Sequence, residues 1–369
     1  MTDHFTAPMR PPLYFFNYPN AIGGAGTKVS HLLRLLHQDY AITMVPNRAE
    51  SLADPSWRRF LAGLGVRALT WRQLPRKLSG WGLSLCNSCF FTEGQAARAK
   101  RRGLKIAWGS EMMWPHPGEV GSVLGGLVDV VLYTGAAQRT MLEPLYTCGG
   151  TAPAPRGVVV GNYIDPALYP FLERPARPVL TAGRVSRADP AKYPDDFPLT
   201  MHIPGIPGLH VRVLGWSDAL TEKFAWYDFE KGKVRHRSAA MPWAGSGAVT
   251  WELLPPGAED VTAFLHSLDY YHYDTGPGLS ESWGRAVVEA MLTGLPVLIP
   301  ADRRHHLHAL VPDKVAGFHC AAPADWHAAV HSLTDPETRR RMARAAADHA
   351  RRVLCHADEH RAAWRTALR

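Results

Sequence analysis

The sequence has little with which to build covalent staples. Five cysteines, an odd number, are spread over 369 residues. They cannot all pair within the chain, and a chain long enough for two self-sufficient cores does not need bridges, so a reducing compartment is expected. Only Cys86 and Cys89 lie close together. One C-x-x-C offers half the ligands of a structural zinc site and lacks the small fold in which such a pair acts as a redox centre, which leaves two buried thiols as the reading. Long apolar runs are missing too. The most apolar stretch, Val123 to Ala137, is short and carries Asp129, and Met1 to Arg10 lacks the apolar centre of a signal peptide, so no transmembrane segment is expected. Low-complexity tracts and short-period repeats are also absent. The cluster Arg303-Arg-His-His-Leu-His308 holds two arginines that repel a cation, with Asp302 as its adjoining acid, and no metal is expected there.

What is present is globular. Apolar residues make up 46% and charged residues 20%, which excludes a disordered chain. The net charge is +8, and its distribution is uneven. Residues 1 to 160 hold 17 basic and 9 acidic groups, whereas residues 161 to 369 hold 24 of each. The whole excess therefore belongs to the first half, which either meets a polyanion or an anionic surface or is the solvated basic face of an Arg-rich protein.

The order of elements can be read from apolar runs and turn residues. Leu13 to Asn17 reads as a buried strand that enters a Gly-rich turn, Ala21 to Thr27, after which Val29, Leu32, Leu33, Leu35 and Leu36 recur at helical spacing. Further strands are expected at 41–45, 83–85, 105–108 and 128–133, each separated by a helix-length segment. Residues 149 to 178 are rich in Gly and Pro, as linkers are. A second series starts at Val179-Leu-Thr-Ala-Gly183, with strands at 210–214, 269–273 and 296–299 and helices at 261–267 and 285–292. From Asp335 a long Arg- and Ala-rich helix begins, with Asp335 as cap and Pro336 in the first turn. This alternation predicts an α/β protein of two Rossmann-like doubly wound domains. The expected boundaries are 1–160, a linker at 161–178, a second domain at 179–350, and a C-terminal helix at 351–369 packing back toward the first domain.

The most informative segment is Glu281-Ser-Trp-Gly-Arg-Ala-Val-Val-Glu289-Ala-Met-Leu-Thr-Gly-Leu-Pro-Val297. It places two carboxylates eight positions apart around a helix N-terminus. Ser282 can cap, Gly284 admits close backbone approach, and the amides of the first turn offer an anion site. A phosphate could sit on the amides while the carboxylates accept from sugar hydroxyls. The plain alternative is a capped helix with two solvated glutamates.

This segment resembles the hallmark of retaining glycosyltransferases of the GT-B fold, specifically glycosyltransferase family 4. There a pair of glutamates separated by seven residues is followed by Ala-Met, a Gly and Pro-Val. Thr181-Ala-Gly-Arg-Val-Ser-Arg-Ala-Asp-Pro-Ala-Lys192 resembles the family's Gly-Arg and downstream Lys, Val158 to Tyr169 its domain-joining segment, and the turn after the first strand its N-domain loop. The resemblance implies a GT-B architecture, with the two domains facing across a cleft, and a donor site with assigned parts. Arg184 and Lys192 would hold the donor diphosphate, with Arg187 as the alternative because the basic pair is more widely spaced than usual. Glu289 would bind the ribose, and Glu281 the donor sugar, with Ser282 and the amides of Trp283 and Gly284 nearby. Gly23, Gly24 and Gly26 would close over the phosphates. Where many members carry His-Asp in the first domain, this chain has Gly109-Ser110-Glu111, with His116 five residues on. Glu111 and His116 are thus the candidates for orienting an acceptor hydroxyl.

The implied reaction is transfer of a sugar from a nucleotide-diphosphate sugar, a UDP-sugar first among them, with retention of configuration. Asp-x-Asp is absent, and Arg, Lys and helix amides can supply the electrostatics a bound metal would, so neither metal nor further cofactor is expected. Alanine at Glu281, Arg184 or Glu289 should then stop turnover and spare the fold. Residues 57 to 105 contain eleven basic residues against Glu93 alone, interleaved with Trp57, Trp71 and Trp81. Arg58, Arg59, Arg72, Arg76 and Lys77 are the candidate acceptor contacts. A glycan or glycolipid at a membrane surface, DNA bearing 5-hydroxymethylpyrimidine, and a small molecule remain open as acceptors. A sugar-nucleotide epimerase or a non-catalytic binder would share the fold. A cytoplasmic location, with peripheral contact at the inner membrane face as a further option, fits these readings.

Overall fold

A computed structural model describes residues 10–19, 24–150, 152–235, 247–276, 278–302 and 306–369. Gly23 and residues 303–305 lie outside the described residues. The chain divides into two compact units, one of residues 1–165 with 356–369, the other of residues 166–355.

The first unit is built on seven parallel strands: β1 (Pro12–Phe15), β2 (Ala41–Met44), β3 (Arg67–Ala68), β4 (Trp81–Leu85), β5 (Lys105–Gly109), β6 (Val130–Tyr133) and β7 (Arg156–Val159). Their spatial order is β3-β2-β1-β4-β5-β6-β7. β4 and β6 are buried along their whole length, as expected for parallel strands covered on both faces by helices. The helix Gly24–Leu36 turns Val29, Leu32, Leu33 and Leu36 into a core shared with Leu13, Phe15, Leu83 and Leu85.

The second unit contains β8 (Leu180–Val185), β9 (Leu209–Leu214), a short antiparallel ribbon of β10 (Tyr227–Asp228) and β11 (Lys233–Val234), then β12 (Val249–Leu254), β13 (Tyr270–His272), β14 (Val297–Pro300) and β15 (Gly317–Cys320). The main sheet runs β12-β9-β8-β13-β14-β15, all parallel. In both sheets the order reverses once, between β1 and β4 in the first and between β8 and β13 in the second. Ligands of open α/β sheets bind at such reversals, outside the carboxyl ends of the strands.

Three features depart from the sequence expectation. Part of the Gly- and Pro-rich stretch is sheet, because Arg156–Val159 pairs with β6 at the edge, where one side needs no hydrogen-bonding partner and the preceding Pro155 is tolerated. The edge strands β3, β12 and β15 lack the continuous apolar run that marks the central strands. The long helix from Pro336 ends at His349 in a π-helical turn, Ala350–Leu354, before a separate helix, Ala357–Ala367. Asp335 caps the first of these, accepting from the amides of Glu337 and Thr338.

The last helix belongs to the first unit. Trp364, Ala367 and Leu368 enter its core, and Arg361 grips Asp39 with two hydrogen bonds of 2.8 and 2.9 Å. Arg361's hydrogen bond holds the Asp39 carboxyl below the usual range against the opposing effect of burial. A carboxyl whose pKa falls on folding stabilises above its unfolded pKa, and that stabilisation is lost as pH falls through the folded value. Asp39→Asn should therefore cost about 1–3 kcal/mol at pH 7, shrinking toward zero in strong acid, as urea unfolding at a series of pH values would show.

Candidate functional site

The order reversal of the second sheet gathers the residues singled out from the sequence. Arg184 lies at the carboxyl end of β8 and is 1% exposed. Its guanidinium stacks 4.1 Å from the Tyr193 ring centroid and 4.9 Å from that of Tyr273. It donates to the backbone carbonyls of Lys192 and Asp274. Arg184 thus ties the loop after β8 to the loop after β13. Enclosed in this way, it acts as a tether whose charge is felt at short range, and alanine there would loosen two loops as well as remove a cation.

Lys192 brings an ammonium to the site. It closes the short 3-10 turn Pro190–Lys192, which Asp189 caps through the amide of Ala191 at 3.0 Å, and its ammonium pairs with Glu281. Tyr273 donates its hydroxyl to the same carboxylate at 2.7 Å. Burial alone would raise the Glu281 pKa, but the Lys192 charge and hydrogen bond, the Tyr273 donor and the Arg184 charge together hold it below the ordinary value. Arg187 is exposed and leans toward Asp189 at 3.9 Å. Asp274, next along the chain, is pushed up to about 6 by burial.

Glu281 precedes the helix Arg285–Leu292, and Glu289 stands in its second turn. Burial pushes Glu289 up, against the opposing pull of Arg285 and of a hydrogen bond from Tyr169. The cap position of this helix is taken by Gly284, so the place expected for Ser282 falls to a residue with no side chain. Trp283 is 4% exposed and offers its backbone rather than its ring. Gly284 has φ +67°, and a Cβ there would collide with the Leu307 side chain. With glycine at the cap, the first amides of the helix and their partial positive charge can be approached along the helix axis.

The first unit has its own cluster at its reversal. Glu111 follows β5 and pairs at 2.5 Å with Lys28, which is 1% exposed on the helix that contains Gly24 and Gly26. The loop that carries Glu111 and His116 is pinned from beneath. The buried Gln138 amide donates to the carbonyls of Ser110 and Met112 at 2.8 and 2.7 Å, and its oxygen accepts from the Thr134 amide and hydroxyl. Buried Glu119 accepts from the His116 amide at 2.7 Å and from the Tyr146 hydroxyl. His116 Nε2 lies 3.3 Å from Cys86 Sγ. Burial, with the Glu111 charge, pushes that thiol up to about 12, so it stays protonated. Cys86 also has φ +46°, uncommon without glycine.

The basic residues are not part of that cluster. Arg58, Arg59, Arg72, Arg76 and Lys77 are all exposed. Arg76 and Lys77 lie just before Leu78, whose amide bonds to the Arg102 carbonyl, at the amino end of β4, the opposite edge of the sheet from Glu111. Two of the interleaved tryptophans are already engaged. Trp71 stacks on Phe16 at 4.9 Å and is flanked by Arg98 and Arg102, while Trp81 is buried beneath Lys105. Among the described residues no group of three His, Cys, Asp or Glu could hold a metal ion, and no helix is long and apolar enough to cross a membrane. Tyr273, Tyr193, Lys28 and Gln138 were not singled out from the sequence, because what they do depends on contacts that the folded loops create, 9 positions apart for Tyr193 with Arg184 and 83 for Lys28 with Glu111.

No family model matches the sequence, and no curated protein matches it either. Solved structures do match. Alr3699/HepE of Anabaena, in complex with UDP-glucose, is 14% identical and aligns over 97% of this chain and 99% of its own with a TM-score of 0.62. Sucrose-phosphate synthase of Thermosynechococcus elongatus is 12% identical over 97% and 98%, with a TM-score of 0.63. A glycosyltransferase of Rickettsia africae is 9% identical over 97% and 98%, with a TM-score of 0.66. The chain has the GT-B fold. Counted from its own first strand, each sheet runs 3-2-1-4-5-6, with a seventh strand added at the end of the first, and this doubly wound order sets the two reversals described above.

Gly284→Ala should destabilise the protein by about 1–3 kcal/mol through the left-handed backbone and the clash with Leu307. Gly121→Ala, in a helix with nothing within 4 Å, should be neutral or slightly stabilising. Denaturant unfolding of the two variants side by side would show the contrast.

Proposed function

We propose that the protein is a retaining glycosyltransferase that moves a sugar from a nucleotide-diphosphate sugar, a UDP-sugar in the first instance, to an acceptor hydroxyl. The observation that carries the proposal is the Lys192, Glu281 and Tyr273 group beside a glycine-capped helix N-terminus at the order reversal of the second sheet. An ammonium and a fan of backbone amides suit a diphosphate, whose negative charge grows as the glycosidic bond breaks. Glu281 and Glu289 suit hydroxyls of the donor sugar and the ribose. The solved complex of Alr3699/HepE with UDP-glucose supports a donor of this class on this fold.

In this reading the second unit takes the donor and the first the acceptor. The bond between the anomeric carbon and the phosphate oxygen breaks, the acceptor oxygen bonds to the same face of that carbon, and the acceptor proton passes to the departing phosphate oxygen. No enzymic nucleophile is needed. Glu281 orients and polarises, Lys192 and the amides carry the leaving group's charge, and Glu111 and His116 orient the acceptor hydroxyl. Charge neutralisation by these groups makes the reaction independent of metal.

The exposed Arg58, Arg59, Arg72, Arg76 and Lys77 lie outside the Glu111 and His116 cluster. They therefore favour docking of the protein on an anionic surface that carries the acceptor, on the cytoplasmic side of a membrane in the glycolipid case, over direct contact with the reacting hydroxyl. The engagement of Trp71 and Trp81 within the fold removes two of the rings that DNA bases would stack on, and so favours a glycan or glycolipid over nucleic acid.

Release of nucleotide from UDP-, GDP- and ADP-sugars, with and without acceptors, tests the reading. UDP release should survive EDTA and rise with the right acceptor, while Glu281→Gln and Lys192→Ala should each lower it about 100- to 1,000-fold. Wild-type rates in either variant would overturn it. Conversion of the nucleotide sugar without acceptor would indicate an epimerase.

A further inference from the structure

Tyr273 stands at a position for which its ring alone would suffice as packing. It follows β13, is 4% exposed, stacks on Tyr271 with centroids 6.2 Å apart, and lies against the Arg184 guanidinium at 4.9 Å. Those contacts fix the ring plane and leave the hydroxyl one direction in which to point. It donates to Glu281 at 2.7 Å, on the same carboxylate oxygen that Lys192 holds. We propose that Tyr273 is a positioning residue: its hydroxyl, together with the Lys192 ammonium, fixes the orientation of the Glu281 carboxylate.

Two effects compete at this carboxylate. Burial to this degree drives it toward its neutral form, and a neutral acid here would be a donor rather than an acceptor toward sugar hydroxyls. Against burial stand Lys192 from the loop after β8, Arg184 from β8 itself, and Tyr273 from the end of β13; Asp274, which adjoins Tyr273, is an acid and gives no such help. His306 donates its backbone amide to the Glu281 carbonyl. Arg184 contributes charge but directs its terminal amino groups to the Lys192 and Asp274 carbonyls. The phenol is therefore the neutral donor among these groups that meets the carboxylate directly, and it is carried by a ring that the tether already orients.

The proposal rests on the reading of Glu281 as a donor-site residue only for its consequence in turnover; the ionisation itself can be measured without any reaction. In full-length protein labelled with 13Cδ-glutamate, the Glu281 resonance is assigned by its absence in Glu281→Gln and followed with pH. Tyr273→Phe should move its midpoint upward by about one pH unit, and the acidic limb of the rate of UDP release should move with it. Tyr271→Phe removes a neighbouring phenol whose hydroxyl bonds to the Val185 backbone, and should leave the midpoint in place. An unmoved midpoint in Tyr273→Phe, or an equal movement in Tyr271→Phe, overturns the inference. Full activity of Glu281→Gln would instead overturn the functional reading and leave the carboxylate measurement standing. Should Tyr273→Phe fold poorly, the Tyr273 13Cζ resonance of the otherwise wild-type chain gives the same answer. It should shift in Glu281→Gln, and its constancy would count against the hydrogen bond.

Discussion

One buried guanidinium holds the second unit's site together. Arg184 bridges two loops that leave neighbouring strands where the sheet order reverses, beyond the last ladder hydrogen bonds between those strands. An unpaired charge at 1% exposure would be costly, yet here two carbonyls and the faces of Tyr193 and Tyr273 surround it. That one placement has two effects: Lys192 is set opposite Glu281 and the Tyr273 ring is oriented.

The first unit holds its loop with buried side chains that bond to the backbone and to one another. Its reversal-side loop carries Glu111 and His116, and buried Gln138 and Glu119 occupy the backbone donors and acceptors beneath it. Because Gln138 satisfies two carbonyls and two donors at once, it can be buried without an orphaned group. The result is a loop whose geometry precedes any ligand.

Much of this could be read from residues alone. The central strands were legible because parallel strands covered on both faces are continuously apolar, and the helix at 285–292 because its apolar spacing is bounded by Gly284 and Gly294. The edge strands were not, since Arg67–Ala68 and Arg156–Val159 have one unpaired side and no such run. Of the site, Glu281, Glu289 and Lys192 were visible as residue types suited to the chemistry, in a pattern that resembles a known family. The enclosure of Arg184 was not visible, because the two tyrosines that sandwich it lie 9 and 89 positions away. Arg58, Arg59, Arg72, Arg76 and Lys77 were visible as charge, but charge counts carry no information on which end of a sheet they occupy.

The return of the last helix to the first unit has a temporal side. Residues 356–369 supply Trp364, Ala367 and Leu368 to a core whose other members are all made before residue 165. During synthesis that core waits on the ribosome while the second unit is produced, an interval of roughly 10–40 s at ordinary elongation rates. The unit that begins first is thus completed only after residues 356–369 have been made, and until then the apolar side chains that Trp364 covers lack that cover.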